Sequence, residues 1–252
     1  AIFILTHGRP DKVKTYNVIR NRGYTGNIYI IIDNEDKSAE KYYENFGDKV
    51  IMFDKKEIAK TFDEADNFED RRAIVYARNA CFEIAKDLGI TYFVQLDDDY
   101  TKFDYRINSK GNYPSGHFKI KKIDKVLDIM LEFYKTIPAK TIAMSQGGDF
   151  IGGSQNPNAT NPKLKRKCMN SFICSTERPF KFNGRINEDV NTYTRNASVG
   201  DIFLTVPIVS LTQGQTQSND GGMTDIYLDK GTYIKSFYSV IFQPSSVKVA
   251  LM

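Results

Sequence analysis

The sequence predicts an α/β domain built on a mixed, mostly parallel sheet flanked by helices, and three observations carry that expectation. The opening run AIFIL is continuously apolar and stops at Thr6, His7, Gly8 and Arg9. GYTGNIYIIIDNED repeats the pattern and ends in Asp33, Asn34, Glu35 and Asp36, and ITYFVQL ends in Asp97, Asp98 and Asp99. Short continuous apolar runs mark strands buried on both faces, and the helical spacing between them implies parallel strands joined by crossover helices.

Each element follows from its local pattern. Residues 11–22 place Val13, Tyr16, Ile19 and Arg20 at helical spacing, KSAEKYYENFG is helical and stops at Gly47, and DKVIMFDK supplies a third short strand. The polar stretch 61–71, TFDEADNFEDR, reads as a loop. The helix after it, 72–88, sets Ile74, Val75, Ala77, Cys81, Ile84, Ala85 and Leu88 on one stripe and stops at Gly89. A further helix is expected over 121–135, then the strand KTIAMSQGGDF and the long loop IGGSQNPNATNPKLKRK. Loops of that length in a compact domain are usually functional or disordered. CMNSFICST, the polar NGRINEDVNTYTRNASVGD, the strand IFLTVPIVSL and a Gln/Gly/Asp loop at 213–225 follow. Two aromatic-rich segments close the chain, the last running into the strand-like PSSVKVALM.

Composition narrows the classes. At 252 residues and 41% apolar content, the chain is long enough for one large α/β domain, and no linker or repeat divides it. No apolar run approaches the roughly 20 residues that cross a bilayer, and no signal-peptide pattern is seen, so a soluble protein without a membrane partner is expected. Three cysteines without metal-type spacing, Cys81, Cys168 and Cys174, suit a reducing compartment, with the cytoplasm as default. The net charge of +4 hides a cluster, Lys163, Lys165, Arg166 and Lys167, that suits an anionic partner. The chain starts inside a strand without Met and ends without a terminator, so truncation is expected.

Ligands of open α/β sheets bind at the carboxyl ends of strands, near a switch in strand order. The stretches Thr6 to Arg9, Asp33 to Asp36 and Asp97 to Asp99 should therefore converge on one crevice. Three consecutive carboxylates repel one another and invite a cation or a set of hydroxyls. Side chains alternate along an extended chain, so Asp97 and Asp99 can share a side. Oxygen ligands of this kind suit Mg²⁺ or Mn²⁺, and Mg²⁺ is commonly held by one or two carboxylates plus substrate phosphates. The alternative is a solvated acidic turn or a helix N-cap.

ARNACFEIAKDLGITYFVQLDDDY resembles the stretch of GT-A glycosyltransferases in which Ala-Arg-Asn opens a helix, followed by an apolar strand and an Asp-x-Asp. More narrowly, ILTHGRP, GYTGNIYIIIDNED, DNFEDRRAIVYARNACFEIA and LDDDY look like the TET-associated glycosyltransferase family, whose members are encoded by phages and by genomes carrying oxidised pyrimidines in DNA. The likeness covers at least residues 3–105 and, less densely, GRINEDVNTY and SFYSVIFQPSSVKV. It implies a single GT-A (Rossmann-like) domain over 1–252, with 1–105 binding the nucleotide-sugar and 106–252 the acceptor. It further implies a metal-dependent transfer from a nucleoside-diphosphate sugar, UDP favoured, to a hydroxymethylated pyrimidine in DNA or to a sugar already attached there. The compartment implied is the cytoplasm, a host's if the chain is phage-encoded. Three other readings stand beside it. One is a GT-A enzyme acting on a glycan or protein, another a non-catalytic nucleic-acid-binding module on a degenerate transferase fold, against which intact Asp97, Asp99 and Asp189 speak, and the third a nucleotidyltransferase using the same carboxylates, against which the lack of a Gly-rich phosphate loop speaks.

Residue by residue, the resemblance places Thr6, His7, Gly8 and Arg9, with Asp33 and Glu35, around the nucleobase and ribose. Arg78 and Asn79 would face the ribose or sugar, Asp97 the ribose, Asp98 the donor pocket, and Asp99 with Asp97 the metal, Mn²⁺ or Mg²⁺. Without a ligand, His7 would simply bond backbone and Arg78 would pair with Asp97 or Asp98. Glu188 and Asp189 resemble the pair that supplies the catalytic base in inverting GT-A enzymes. Asp189 is the favoured base and Glu188 is left to bind hydroxyls, although acidic residues also suit a helix N-terminus for purely structural reasons. Many such enzymes complete the metal site with a late histidine, yet this chain has only His7 and His117. Water and the diphosphate, Asp220 or Asp225, or a histidine beyond Met252 would complete it here. On the acceptor side, Gly147, Gly148 and Asp149 suit close approach of a ligand to backbone, or form an ordinary turn. Lys163, Lys165, Arg166 and Lys167, with Asn156, Asn158 and Asn161, would follow a phosphate backbone or remain a solvated loop.

Overall fold

The structure is a computed structural model that describes residues 1–65, 71–108, 118–146, 149, 167–214 and 233–249. Its strands are β1 (Ile2–Leu5), β2 (Ile28–Asp33), β3 (Val50–Phe53), β4 (Tyr92–Asp97), β5 (Tyr100–Tyr105), β6 (Phe118–Lys119), β7 (Ala139–Ser145), β8 (Ser171–Ser175) and β9 (Ile202–Gln213). Its helices are α1 (Lys14–Asn21), α2 (Ala39–Phe46), α3 (Lys55–Ala59), α4 (Val75–Asp87), α5 (Ile123–Thr136), α6 (Glu188–Ser198) and α7 (Ile234–Phe242). Among the described residues the strands form one sheet in the order β3-β2-β1-β4-β8-β7-β9-β5-β6.

The first half is parallel. β1 pairs with β2 and β4, and β2 with β3, so that Leu5 lies opposite both Ile31 and Asp97. The chain winds outward from β1 to β3 and then returns to lay β4 on the other side of β1. Strand order therefore reverses between β1 and β4, and a crevice opens at their carboxyl ends. Alternation along β1 sends Ile2 and Ile4 into the core on one face, with Ile30, Met130 and Tyr134, and Phe3 and Leu5 into the core on the other, with Phe82, Phe93 and Phe172. Burial on both faces is why these strands read as unbroken apolar runs.

The second half is mixed. β8 runs antiparallel to β4 and β7, whereas β9 is parallel to β7 and, at its far end, antiparallel to β5. Pro207 stands where β9 leaves its regular register with β7, a position at which a missing N–H costs little. β5 is not expected from the sequence, because Thr101 and Lys102 are exposed and interrupt its apolar pattern. Its presence means that Asp98 and Asp99 form a tight turn between two strands.

The strand-like reading of PSSVKVALM is corrected over its described part, since residues 244–249 form no strand. The aromatic segment before it is helix α7, which packs on α6 through Ser239. That hydroxyl receives Asn187 Nδ2 at 2.7 Å and donates to Asn191 Oδ1 at 2.9 Å. Gly184 (φ +77°) permits this docking, because a Cβ there would lie 2.4 Å from the Phe242 ring. Cys81, Cys168 and Cys174 are buried free thiols. No helix among the described residues is long and apolar enough to cross a membrane.

Candidate active site

The three strand ends meet at the crevice. Beyond β1, Thr6 Oγ1 donates to Asp98 Oδ2 at 2.6 Å and bonds Tyr42 Oη at 2.8 Å, which also accepts the Arg9 backbone N–H at 2.8 Å. Gly8, at φ +67°, turns its N–H onto Asp36 Oδ2 at 2.7 Å. The half-exposed His7 bonds Asp33 Oδ2 through Nδ1 at 2.8 Å, and the buried Lys55 ammonium meets Asp33 Oδ1 at 3.2 Å. Burial pushes the Asp33 carboxyl up, but the His7 bond and the Lys55 charge outweigh it and hold the group below its ordinary value. Glu35 pairs with Arg71 at 3.2 Å.

The acidic run splits in three directions. Thr15 fixes its backbone, donating Oγ1–H to the Asp97 carbonyl at 2.6 Å and N–H to the Asp98 carbonyl at 3.0 Å. Asp97 Oδ1 then pairs with Arg78 Nη2 at 3.0 Å, and Asp98 turns inward to Thr6 and to Arg9 Nη2 at 3.1 Å. Asp99 lies beside Gln213 and Gly214 at the end of β9, with a buried Oδ1 that has no hydrogen-bond partner. Burial, with Asp97 and Asp98 beside it, pushes the Asp99 carboxyl up to about 6.

Three residues that the resemblance places at the donor are buried and bonded within the protein. Asp98 is 2% exposed and spends its oxygens on Thr6 and Arg9. Arg78 is 1% exposed and lies between carboxylates, while Asn79 is wholly buried. Asn79 pairs with the Phe182 backbone in both directions, donating from Nδ2 at 3.0 Å and accepting at Oδ1 at 2.9 Å. It latches α4 to the segment that leads into α6. Asn79→Ala strands two buried backbone groups and is expected to cost about 2–6 kcal/mol in urea unfolding, given roughly 1–3 kcal/mol for each unsatisfied group.

The carboxylate pair sits on the first turn of α6, entered through Asn187 in the left-handed region (φ +60°). Glu188 Oε1 accepts from Arg78 Nε at 3.2 Å, and the buried Asp189 accepts the Val190 N–H at 2.8 Å. Burial and Asp189 push Glu188 up to about 7 against the pull of Arg78. Burial also raises Asp189, opposed by the Val190 N–H and by the charges of Arg78 and Lys167. Lys167, the last residue of the basic cluster, thus acts electrostatically on Asp189, while Lys163, Lys165, Arg166, Gly147 and Gly148 lie outside the described residues. Asp149 closes its own turn, accepting the Gln146 N–H at 2.8 Å.

Asp97 and Asp99 suit a hard divalent cation. Arg78 and Arg9 balance Asp97 and Asp98, which leaves Asp99, with its unpartnered oxygen and raised pKa, as the carboxylate whose charge a cation would balance. No group of three potential ligands gathers among the described residues. His117, Asp220 and Asp225 lie outside the described residues. Sequence reasoning missed Tyr42 and Lys55. Lys55 stands just past β3, at another parallel strand's carboxyl end, where the rule applied to β1, β2 and β4 would have found it; Tyr42, inside α2, carries no such signal.

A sequence model of the TET-Associated Glycosyltransferase family matches residues 1–222. No curated protein matches the chain. Among solved structures, the chain is similar to S. aureus TarS 1-349 at 10% identity and TM-score 0.47, over 99% of this chain and 66% of that one. It is also similar to a cytidylyltransferase from Leptospira borgpetersenii serovar Hardjo-bovis (strain JB197), at 12% identity and TM-score 0.39, over 100% of this chain and 98% of that one.

Proposed function

The chain belongs to the TET-associated glycosyltransferase family, a family of glycosyltransferases, and from that premise we propose that it moves a sugar from a nucleoside diphosphate, UDP favoured, to a hydroxymethylated pyrimidine in DNA or to a sugar already attached there. The fold proposed is a single GT-A domain with its donor half over 1–105 and its acceptor half over 106–252. The observation that carries the reading is one guanidinium, that of Arg78, shared by two carboxylates distant in sequence, Asp97 at the end of β4 and Glu188 at the start of α6, with Asp99 and Asp189 close by them in the chain.

On this reading His7, Arg9 and the Asp33 cluster receive the nucleoside. Asp97 and Asp99 would hold Mn²⁺ or Mg²⁺, which when bound neutralises the diphosphate leaving group. The acceptor oxygen attacks the anomeric carbon as the bond to the diphosphate breaks, and its proton must pass to a carboxylate within hydrogen-bond reach. Glu188 is already tied to Arg78, which leaves Asp189 as the base. A target base within a duplex must be flipped out for its hydroxyl to enter. The positive charge of Lys167 beside Asp189 supports a polyanionic acceptor.

The reading is tested by following nucleoside diphosphate release from nucleotide-sugars. DNA carrying hydroxymethylpyrimidines should accelerate release where unmodified DNA of the same sequence does not, and equal rates with both would remove the acceptor assignment. The cation site makes a pH prediction. Asp99 is raised to about 6, so protons compete with a cation as pH falls through that value, and Mn²⁺ should bind more weakly at pH 5 than at pH 7.5. The raised carboxyl favours the metal-free fold at low pH and loses that contribution as pH rises through about 6, so Mn²⁺ should raise Tm more at pH 7.5 than at pH 5. Thermal melts with and without Mn²⁺ at both pH values check the sign.

A further inference from the structure

We infer that Arg78 is a positioning residue that fixes the catalytic carboxylates at a set distance from the donor site; the inference rests on the proposed roles of Asp97 and Asp189. Two nitrogens of one guanidinium are committed to two carboxylates from distant parts of the chain. Nη2 meets Asp97 at 3.0 Å at the end of β4, and Nε meets Glu188 at 3.2 Å at the start of α6, 110 residues away in sequence. The flat face is held as well, lying 4.8 Å from the Phe172 ring centroid and 5.7 Å from that of Phe182.

The backbone beneath is equally constrained. Gln95 Nε2 donates to the Arg78 carbonyl at 3.0 Å, and the neighbouring Asn79 is locked to Phe182. The third nitrogen, Nη1, is buried without a hydrogen-bond partner. A group held at its face, at two of its nitrogens and at its backbone transmits position rigidly, and its 1% exposure keeps it from serving as an open donor contact. Position matters here because reacting groups must approach to about 3–3.5 Å, and a displacement of about 1 Å costs on the order of 10²-fold in rate. Lysine keeps the charge but has a single nitrogen and no planar fork, so it cannot span both carboxylates in this geometry.

The test is a cycle of Arg78→Lys and Glu188→Ala, read on two reactions of the full chain: sugar transfer to hydroxymethylated DNA, and donor hydrolysis without acceptor. Arg78→Lys is expected to lower transfer kcat by about 10²-fold while donor KM and acceptor-free hydrolysis stay within about threefold. Glu188→Ala cuts the same tether from its other end, so the double variant should be no slower than the slower single, whereas independent roles would multiply. Phe172→Leu removes the ring under the guanidinium but keeps every charge. It should show the same split at about tenfold, and it serves if Arg78→Lys does not fold. Transfer and hydrolysis falling together, a matching rise in donor KM, or multiplying single effects would each overturn the positioning role. A wild-type chain that transfers nothing to hydroxymethylated DNA would sink the proposed function and this inference with it. Wild-type transfer with an unsplit Arg78→Lys defect would sink this inference alone.

Discussion

Asp189→Asn is expected to slow transfer by about 10² to 10⁴-fold while leaving donor affinity nearly unchanged, the range typical for loss of a general base. The substitution is close to isosteric, and the amide oxygen can still accept the Val190 N–H that Asp189 receives at 2.8 Å, so the first turn of α6 should keep its geometry. What disappears is the capacity to take a proton. Donor affinity should be spared because, on the proposed reading, the nucleoside and diphosphate are held at the β1, β2 and β4 ends and not by Asp189. Steady-state kinetics with varied donor and fixed acceptor separates the two effects. A mild Asp189→Asn with a severe Glu188→Gln would reverse the roles and mean that the Arg78 bond to Glu188 opens during turnover.

Asp99→Ala should abolish metal-supported binding of the nucleotide-sugar and leave the fold intact. The side chain carries a buried, unpartnered oxygen, and its charge is already resisted by burial and by Asp97 and Asp98. Deleting it removes a ligand and relieves a repulsion, so the metal-free variant should melt no lower than wild type at pH 7.5 and somewhat higher if the relief outweighs lost packing. Calorimetric titration with nucleotide-sugar in Mn²⁺ reads the first effect and thermal unfolding the second. Unchanged donor affinity in Mn²⁺ would remove the metal assignment.

The parallel half of the sheet was legible because burial on both faces writes itself as unbroken apolar runs, and because their polar ends mark the crevice. The same logic located Asp97, Asp99, His7 and Asp33 at the strand ends. What it missed has a common cause: pairing across long sequence separations leaves no local trace. β5 exists because Phe103 and Tyr105 find Leu211 and Val209 on β9. Asn79 reads like a polar helix residue, yet the Phe182 backbone consumes it. Arg78 was foreseen as a possible partner of Asp97, but its second bond, to Glu188, depends on the docking of α6. PSSVKVALM reads as strand-like yet forms no strand over residues 244–249, and the aromatic segment before it, which the sequence leaves unassigned, is the helix that docks on α6 through the contacts of Ser239 with Asn187 and Asn191.

The most direct test of the central claim is a mass measurement. Wild-type chain is incubated with Mn²⁺, a panel of nucleotide-sugars and DNA containing hydroxymethylcytosine or hydroxymethyluracil, and the DNA is digested to nucleosides and weighed. The account predicts one modified nucleoside heavier by a single sugar residue, formed with one donor class, and absent with Asp99→Ala or without the hydroxymethyl group. Unaltered hydroxymethyl nucleosides across the whole panel, with sugar appearing on a protein or glycan acceptor under the same conditions, would contradict it.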